Sequence, residues 1–335
     1  MKIIFFGTPQ FAVPSLEKLI QDPDITVQAV VTQPDKRRGR GKQLIPSPVK
    51  SLATQHQIPV WQPQRVKKDL ETLQYLQQSD ADVFIVVAYG QILSQNILDV
   101  PRLGCINGHG SLLPKYRGAA PIQWCLYNGE SETGITTMLM NAGMDTGSIL
   151  LKEKTSINIS DNAHNLAKTL SLNTANLLIK TIDDLNQQRI TPEPQNDSQA
   201  TYAPLISKDD YLINWSRSAL ALHNQIRGFY PNCITIMREQ TLKIKSSIPI
   251  DIALCSSLNS IYQSMNINVE KLLESLNQKQ FPPGVVAEVL KNHGPIISTG
   301  TGFLLLLEAQ LAGRRSQSGW DFANGTRLEV EEQLG

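Results

Sequence analysis

Cysteine is sparse: four residues in 335, at positions 105, 125, 233 and 255, with no CxxC pair among them. That scatter excludes zinc-ribbon and thioredoxin-type spacings, and it suits a reduced, cytoplasmic protein better than a disulfide-framed secreted one. Long hydrophobic runs are also missing, since no stretch approaches the roughly 18 apolar residues that a membrane-spanning helix requires. The apolar start, MKIIFFGTPQF, breaks at Gly7 and Pro9. It is too short for a signal h-region and is expected to form a first buried strand. No charge of one sign dominates either: 31 Lys and Arg face 30 Asp and Glu, for a net charge of +1. A generic polyanion binder is thereby excluded, and any contact with nucleic acid must come from a local patch. Two nucleotide-binding signatures are absent. FFGTPQF carries one glycine where a dinucleotide fingerprint needs three, and no GxxxxGK[ST] occurs.

What is present reads as a two-domain globular chain, 41% hydrophobic and 18% charged. Lys2–Gly7, Ile25–Thr32 and Asp82–Ala88 are short, rich in Ile, Val and Phe, and bounded by turn residues, the pattern of central strands in a parallel sheet. Phe11–Gln21 and Pro48–Gln57 between them show apolar spacing near three and four, so strand and helix alternate as in a doubly wound α/β domain. Further strands are expected over Arg102–Asn107 and Gly134–Met140. A long helix is expected over Asp161–Asn186, with Ser160 as its N-cap. The polar stretch Gln187–Ala200, with two prolines, reads as a linker. Beyond it, Thr241–Ile248, Gly284–Leu290, Pro295–Ser298 and Gly302–Gln310 have the rhythm of a small β-rich domain of barrel type. Asp251–Gln280 interrupts that rhythm as a polar, partly helical insertion.

The chemistry-bearing candidates follow predicted strands. In Cys-Ile-Asn107-Gly-His109-Gly-Ser111, an amide and an imidazole two residues apart project to one side of an extended chain. They sit near the carboxyl end of a strand, where open α/β sheets place ligands. A lone loop histidine is more often inert, and Asp145, in Gly143-Met-Asp145-Thr-Gly147, is as readily a turn-capping carboxylate. Taken together the three suit acyl transfer to an amine. Attack on a formyl carbon builds an oxyanion that wants preorganised donors, for which Asn107 and a protonated His109 serve. A carboxylate such as Asp145 would hold the imidazole charged and guide the proton from the amine. A Ser111–His109–Asp145 hydrolase can also be assembled, but the chain lacks a G-x-S-x-G elbow.

The runs GTPQFAVPSL, QPDKRRGRGKQLIPSPVK, VVAYGQIL, INGHGSLLPKYRGAAPIQW and GMDTG resemble those of the bacterial methionyl-tRNA formyltransferases, within the folate-dependent formyltransferases. The likeness continues through YAPLISKDDYLINWS, IRGFYP and LLEAQLAGRRSQSGWDFANG, so it covers nearly the whole chain. It implies a Rossmann-like α/β formyltransferase domain over residues 1–188, a linker over 189–206 and an OB-like β-barrel domain over 207–335. It implies Asn107, His109 and Asp145 as the catalytic set. Ser111, Leu112, Leu113 and Pro114, with Val87 and Tyr89, would line the site of 10-formyltetrahydrofolate, and no metal is expected.

The acceptor turns on Gln33–Lys50. Lys36, Arg37, Arg38, Arg40 and Lys42, with Gly39 and Gly41, form a basic segment read as a flexible loop leaving the second strand. Such a segment suits the phosphates of a nucleic-acid end, and the resemblance implies methionyl-initiator tRNA as partner, with a monomeric enzyme and no membrane association. Arg314 and Arg315 are further candidates for backbone contact, with surface solubility as their alternative. Other readings are a formyltransferase acting on a small amine such as an amino sugar nucleotide, and a catalytically weak folate- or tRNA-binding protein. A glycinamide ribonucleotide formyltransferase would lack the second domain. Three positions depart from the family pattern. Gly108 stands where an aliphatic residue is usual, Asn141 where aspartate is common, and Asn232-Cys233 where a second proline and a small residue are usual. Glycine in a strand costs roughly 0.5–1 kcal/mol, so Gly108→Val is expected to preserve or improve turnover.

Overall fold

Ile3–Phe6 and Val83–Val87 are apolar at every position because both faces of their strands are covered. A computed structural model describes residues 1–38 and 43–335, with the main chain alone at 38, 253 and 255–257. Two units result: Met1–Pro121, Glu132–Ser156 and Ala167–Pro204 form the first, and Ile122–Ser131, Ile157–Leu166 and Leu205–Gly335 the second.

The first unit holds strands β1 (Lys2–Gly7), β2 (Thr26–Val31), β3 (Lys36–Arg38), β4 (Gln43–Ile45), β5 (Val60–Trp61), β6 (Val83–Val87), β7 (Cys105–His109), β8 (Arg117–Gly118), β9 (Glu132–Leu139), β10 (Ile149–Ser156) and β11 (Tyr202–Ala203). Helices α1 (Val13–Gln21), α2 (Pro48–Gln55), α3 (Leu70–Gln78) and α4 (Gln95–Leu98) alternate with them. Helix α5 (Pro121–Tyr127) falls in the second unit but for its first residue, and α6 (Ala163–Asn186) falls in the first from Ala167 onward. Seven strands make one sheet in the order β10-β9-β7-β6-β1-β2-β5, parallel from β7 to β5 and antiparallel at β9 and β10. Side chains alternate across it. Ile3, Phe5, Ile85 and Val87 meet Leu16 of α1, Val49 of α2 and Leu178 of α6 on one face. Ile4, Phe6, Phe84 and Val86 meet Leu76 of α3 and Ile97 of α4 on the other. Each such burial is worth about 1.5–3 kcal/mol.

Strand order reverses between β1 and β6, which makes their carboxyl ends the switch point of the sheet. The loops there are tied together. Thr8 Oγ1 donates to the Tyr89 carbonyl at 2.9 Å, and Gln33 Nε2 donates to the same oxygen at 3.3 Å.

Strands expected over Lys2–Gly7, Ile25–Thr32 and Asp82–Ala88 are β1, β2 and β6. The strand expected over Arg102–Asn107 begins later, because a turn from Pro101 to Gly104 precedes it, and it runs on to His109. The histidine is therefore the last residue of a strand. The N-cap of α6 is Asn162, whose Oδ1 accepts from the amides of His164 and Asn165, and not Ser160 as expected. The basic segment is no open loop. β3 and β4 pair antiparallel, Lys36 opposite Ile45, and Arg40 and Lys42 lie outside the described residues. Below it, Lys50 Nζ reaches Asp35 Oδ2 at 2.7 Å and Gln62 Nε2 reaches Asp35 Oδ1 at 2.7 Å. The bond from Lys50, then that from Gln62, holds the Asp35 carboxyl below its ordinary range. The polar stretch read as a linker lies along the first unit, where Glu193 and Ile149 exchange both main-chain hydrogen bonds.

In the second unit, β12 (Ile234–Met237), β13 (Gln240–Ile250), β14 (Val286–Leu290), β15 (Gly294–Ser298), β16 (Phe303–Leu311) and β17 (Gln317–Ser318) form an antiparallel sheet, ordered β12-β13-β16-β15-β14 with β17 beside β16. Register shifts near Ser246 bend the long β13. Helices α7 (Ala219–Gly228) and α10 (Gly319–Thr326) pack on one face, with Leu222, Phe229 and Phe322 among Leu242, Ile244 and Leu306. The insertion supplies α8 (Cys255–Ser264) and α9 (Val269–Leu276), whose Leu258, Tyr262 and Leu276 cover Ile248, Ile296 and Leu305. No helix among the described residues is long and apolar enough to cross a membrane.

Gly108 is explained by packing. A Cβ there would stand 2.6 Å from Thr174 Cγ2 of α6, and that methyl is fixed because Thr174 Oγ1 donates to the Leu170 carbonyl at 2.7 Å. A valine at 108, expected to preserve or improve turnover, would meet a neighbour that already fills the space. Gly108→Val should lower stability by about 1–3 kcal/mol, and Thr174→Ser beside it, which removes only the methyl, should recover much of the loss in denaturant melts. Equal stability of the single variant and the parent would show that α6 does not confine the strand.

His223 is buried, with Nε2 donating to the Ile159 carbonyl at 2.9 Å, and burial lowers its pKa from 6.5 to about 4. Between those values the unfolded chain binds a proton that the folded chain refuses. This contribution is whole above pH 6.5 and is lost as pH falls toward 4, up to about 3 kcal/mol. The urea midpoint of the full chain should drop across that window, and less so for His223→Gln. Parallel pH profiles for the two proteins would refute the assignment.

Candidate active site

Strand β7 ends at the carboxyl edge of the sheet. Asn107 and His109 project to the face opposite Gly108, and His109 lies beside Thr136 of β9. Thr136 Oγ1 donates to the Ser111 carbonyl at 2.7 Å and accepts from the Leu113 amide at 3.0 Å, which turns the chain back over the strand. That turn brings the Tyr116 carbonyl 2.9 Å from His109 Nε2. A carbonyl only accepts, so Nε2 carries the hydrogen and Nδ1 is the ring's remaining edge.

Nδ1 faces Asp145. The distance to Oδ2 is 3.7 Å, with the histidine and aspartate side chains 7% and 16% exposed. Asn107 Nδ2 donates to Asp145 Oδ1 at 3.5 Å, and the Gly118 amide donates to Oδ2 at 2.8 Å. The structure therefore gathers all three candidates around one carboxylate, from segments 36 and 38 positions apart in sequence. Asp145 has φ 53°, a left-handed conformation that costs an L residue roughly 1–2 kcal/mol. Its loop is braced by Asn141, whose Oδ1 accepts from the Gly143 amide at 3.1 Å and from Thr146 Oγ1 at 2.8 Å. An aspartate at 141 would offer the same acceptor, so the departure at this position leaves the turn intact.

The arrangement disfavours a serine hydrolase. Ser111 is fully buried and its Oγ donates to the Lys115 carbonyl at 2.6 Å, while His109 Nε2 is committed to Tyr116. Other expected lining residues turn their side chains into the core. Val87 lies among Phe5, Ile85 and Ile106, and Leu113 lies against Met138 and Ile149. Tyr89 packs edge-on against Phe6 at 5.4 Å, and its hydroxyl finds no partner among the described residues. Burial, then the charge of Asp69, pushes that phenol up. At these positions the main chain is what faces the switch point, as the Tyr89 carbonyl shows. Leu112 and Pro114 are half-buried.

Of the basic residues, Lys36 and Arg37 are exposed on the hairpin that leaves β2, at the same edge of the sheet. Leu44 and Ile45 opposite them are 63% and 44% exposed. Four contributors escaped the sequence reading: Tyr116 and Gly118, which act through main-chain atoms, and Arg117 and Gln195. Arg117 is 3% exposed and donates to Gln195 Oε1 from Nε at 3.0 Å and from Nη2 at 2.8 Å. No spacing in the chain announces that contact.

Residues 1–182 match the family described as formyl transferase, and residues 205–327 match its C-terminal domain. A methionyl-tRNA formyltransferase from Trichormus variabilis is 61% identical over 335 residues, covering 100% of this chain and 99% of the relative. One from Gloeothece citriformis is 59% identical over 334 residues, with coverage of 100% and 99%. Among solved structures, the N-formyltransferase from Helicobacter canadensis, in complex with folinic acid and dTDP-3-aminofucose, superposes with a TM-score of 0.62 at 21% identity, over 91% of this chain and 98% of that one. This chain belongs to the formyl transferase family, and it carries the family's two domains in order.

Proposed function

We propose that the protein transfers the formyl group of 10-formyltetrahydrofolate to the amino group of methionyl-initiator tRNA, with Asn107, His109 and Asp145 as its catalytic residues. The observation that carries this reading is the Asp145 carboxylate, approached by Asn107 Nδ2 at 3.5 Å and His109 Nδ1 at 3.7 Å at the carboxyl edge of β7. The folate donor supplies an activated formyl group. When the amine attacks, a C–N bond forms and the carbonyl electron pair moves onto oxygen. Asn107 Nδ2–H and a proton on His109 Nδ1 are the donors that stabilise that oxygen. Asp145 receives the proton shed by the attacking amine. Collapse returns the pair to the carbonyl and breaks the bond to the folate nitrogen, which leaves with a proton. No side-chain nucleophile enters, in keeping with the engaged hydroxyl of Ser111.

Support for the donor comes from the family and from the Helicobacter canadensis relative, whose complex holds folinic acid, a formylated reduced folate. Support for the acceptor comes from the full-length relatives named methionyl-tRNA formyltransferase and from the exposed Lys36 and Arg37 on the hairpin beside the switch point. An enzyme for a small amine has little use for a cationic arm anchored in this way.

Three measurements test the reading. Formylation should be rapid with methionylated initiator tRNA and slow with methionylated elongator tRNA, while transfer to an amino sugar nucleotide alone would overturn it. His109→Ala and Asp145→Ala should each cut turnover by at least about 10²-fold. Replacing Lys36 and Arg37 by Gln should weaken tRNA binding and flatten the log–log salt slope by about 0.7 per lost phosphate contact, leaving the KM for the folate donor unchanged. A parallel rise in that KM would make the hairpin structural.

A further inference from the structure

Residues 193–203 brace the stretch Tyr116–Gly118, whose main chain holds His109 and Asp145. The Tyr116 amide donates to Thr201 Oγ1 at 2.9 Å, and the Tyr116 carbonyl is the group that takes the hydrogen of His109 Nε2. Arg117 N donates to the Thr201 carbonyl at 2.8 Å, and Gly118, whose amide holds Asp145 Oδ2, pairs with Ala203 across β8 and β11. Gly118 has φ 124°, and a Cβ there would stand 2.6 Å from the Ala203 carbonyl oxygen, so the close approach requires glycine.

Gln195 is the one side chain of this stretch bonded to the main chain of the Asp145 turn among the described residues. Its Nε2 donates to the carbonyl of Asp145 at 2.8 Å and to that of Gly147 at 2.7 Å. Its Oε1 accepts from Nε and Nη2 of buried Arg117, and Nη2 also reaches Asp197 Oδ1 at 2.7 Å. A guanidinium only donates, so Arg117 fixes which end of the amide is oxygen and thereby aims both amide hydrogens at the turn. The result is a closed ring of contacts. Asp145 is gripped at its main chain by Gln195 and at its carboxylate by Gly118, and Arg117 joins the two grips.

We propose that Gln195 is a positioning residue for formyl transfer, acting through Asp145 by holding its left-handed main chain so that the carboxylate meets Asn107 and His109. This rests on the reading of Asp145 as catalytic. It makes the segment leading to the second unit a working part of the site, where composition alone suggested a passive tether.

The test is a double-mutant cycle on the full chain, by single-turnover formylation of methionyl-initiator tRNA. Gln195→Ala should lower the rate roughly 10- to 100-fold, with the KM for the folate donor changed less than about twofold. Added to Asp145→Ala, it should change the residual rate by less than about twofold, because the group it positions is gone. Gln195→Glu, which keeps the shape and the acceptor for Arg117 but loses both donors, should reproduce the loss and covers the case in which the alanine variant fails to fold. Equal losses in both Asp145 backgrounds would mean that Gln195 serves general stability, and would overturn the proposal. A normal rate in Gln195→Glu while Asp145→Ala is impaired would overturn it and leave the reading of Asp145 standing. A normal rate in Asp145→Ala would overturn both.

Discussion

A carboxylate on a left-handed main chain is the constraint on which the rest of this site depends. At φ 53° Asp145 sits where an L side chain crowds its own carbonyl, so the conformation persists only if neighbours over-determine it. They do so from three directions. Asn141 closes the turn from within, Gly118 binds the carboxylate from the loop that follows β7, and Gln195 binds the carbonyl from residues fifty positions further along. Asn141 accepts, whereas Gly118 and Gln195 donate, and both donors are anchored in turn, Gly118 by its pairing with Ala203 and Gln195 by Arg117. The cost in conformational energy is offset by placing one carboxylate within reach of both an amide and an imidazole.

The same logic explains the charge arrangement around His109. With Nε2 tied to a carbonyl, the ring cannot turn to serve Ser111, and its chemistry is confined to Nδ1. A neutral ring in this tautomer turns a lone pair toward Asp145, whereas a charged ring would turn a hydrogen toward it. The Tyr116 carbonyl thus decides which edge of the imidazole works, although its own side chain takes no part in that bond. Gly108 serves this too. The Thr174 methyl of α6 fills the space where a side chain at 108 would stand, so the helix packs close against β7.

Much of the sheet was legible in the chain because burial on both faces leaves a plain mark. Strand β6 is an unbroken apolar run, β1 is one from Ile3 to Phe6 and β2 is apolar and buried over Ala29–Val31, and their boundaries match the expectation to within a residue or two. Strand β10 left little mark because only its first three residues, Ile-Leu-Leu, are apolar, and Lys-Glu-Lys-Thr-Ser after them is polar throughout. The basic hairpin was read as a loop because Lys-Arg-Arg and Gln-Leu-Ile pair through main-chain atoms, which no side-chain pattern reports. Asn107, His109 and Asp145 were legible as residue types at strand ends. Their supports were not: Tyr116 and Gly118 act through the main chain, and Gln195 lies in a polar segment whose composition resembles that of any linker. Low hydrophobicity shows only that a segment cannot be held by apolar burial, and this one is held by hydrogen bonds.

The basic hairpin and the three candidate catalytic residues are anchored separately in the first unit, and this bears on how the proposed function would handle a large charged substrate. The hairpin of Lys36 and Arg37 is fixed at its base by Asp35, Lys50 and Gln62, residues at the ends of β2, α2 and β5. Asn107, His109 and Asp145 are fixed by β7, the loop after it and residues 193–203. The two anchorages share the carboxyl edge of one sheet, and among the described residues none of the bonds that hold one involves the residues that hold the other. Electrostatic attraction falls off over about 8–10 Å at ordinary ionic strength and tolerates imprecise placement. Orienting an amine against a formyl carbon tolerates no such looseness, and small misplacements cost large factors in rate. On the proposed function, a polyanion can therefore be drawn in by the cationic hairpin, while the reacting groups are held on a strand end and a cross-braced turn.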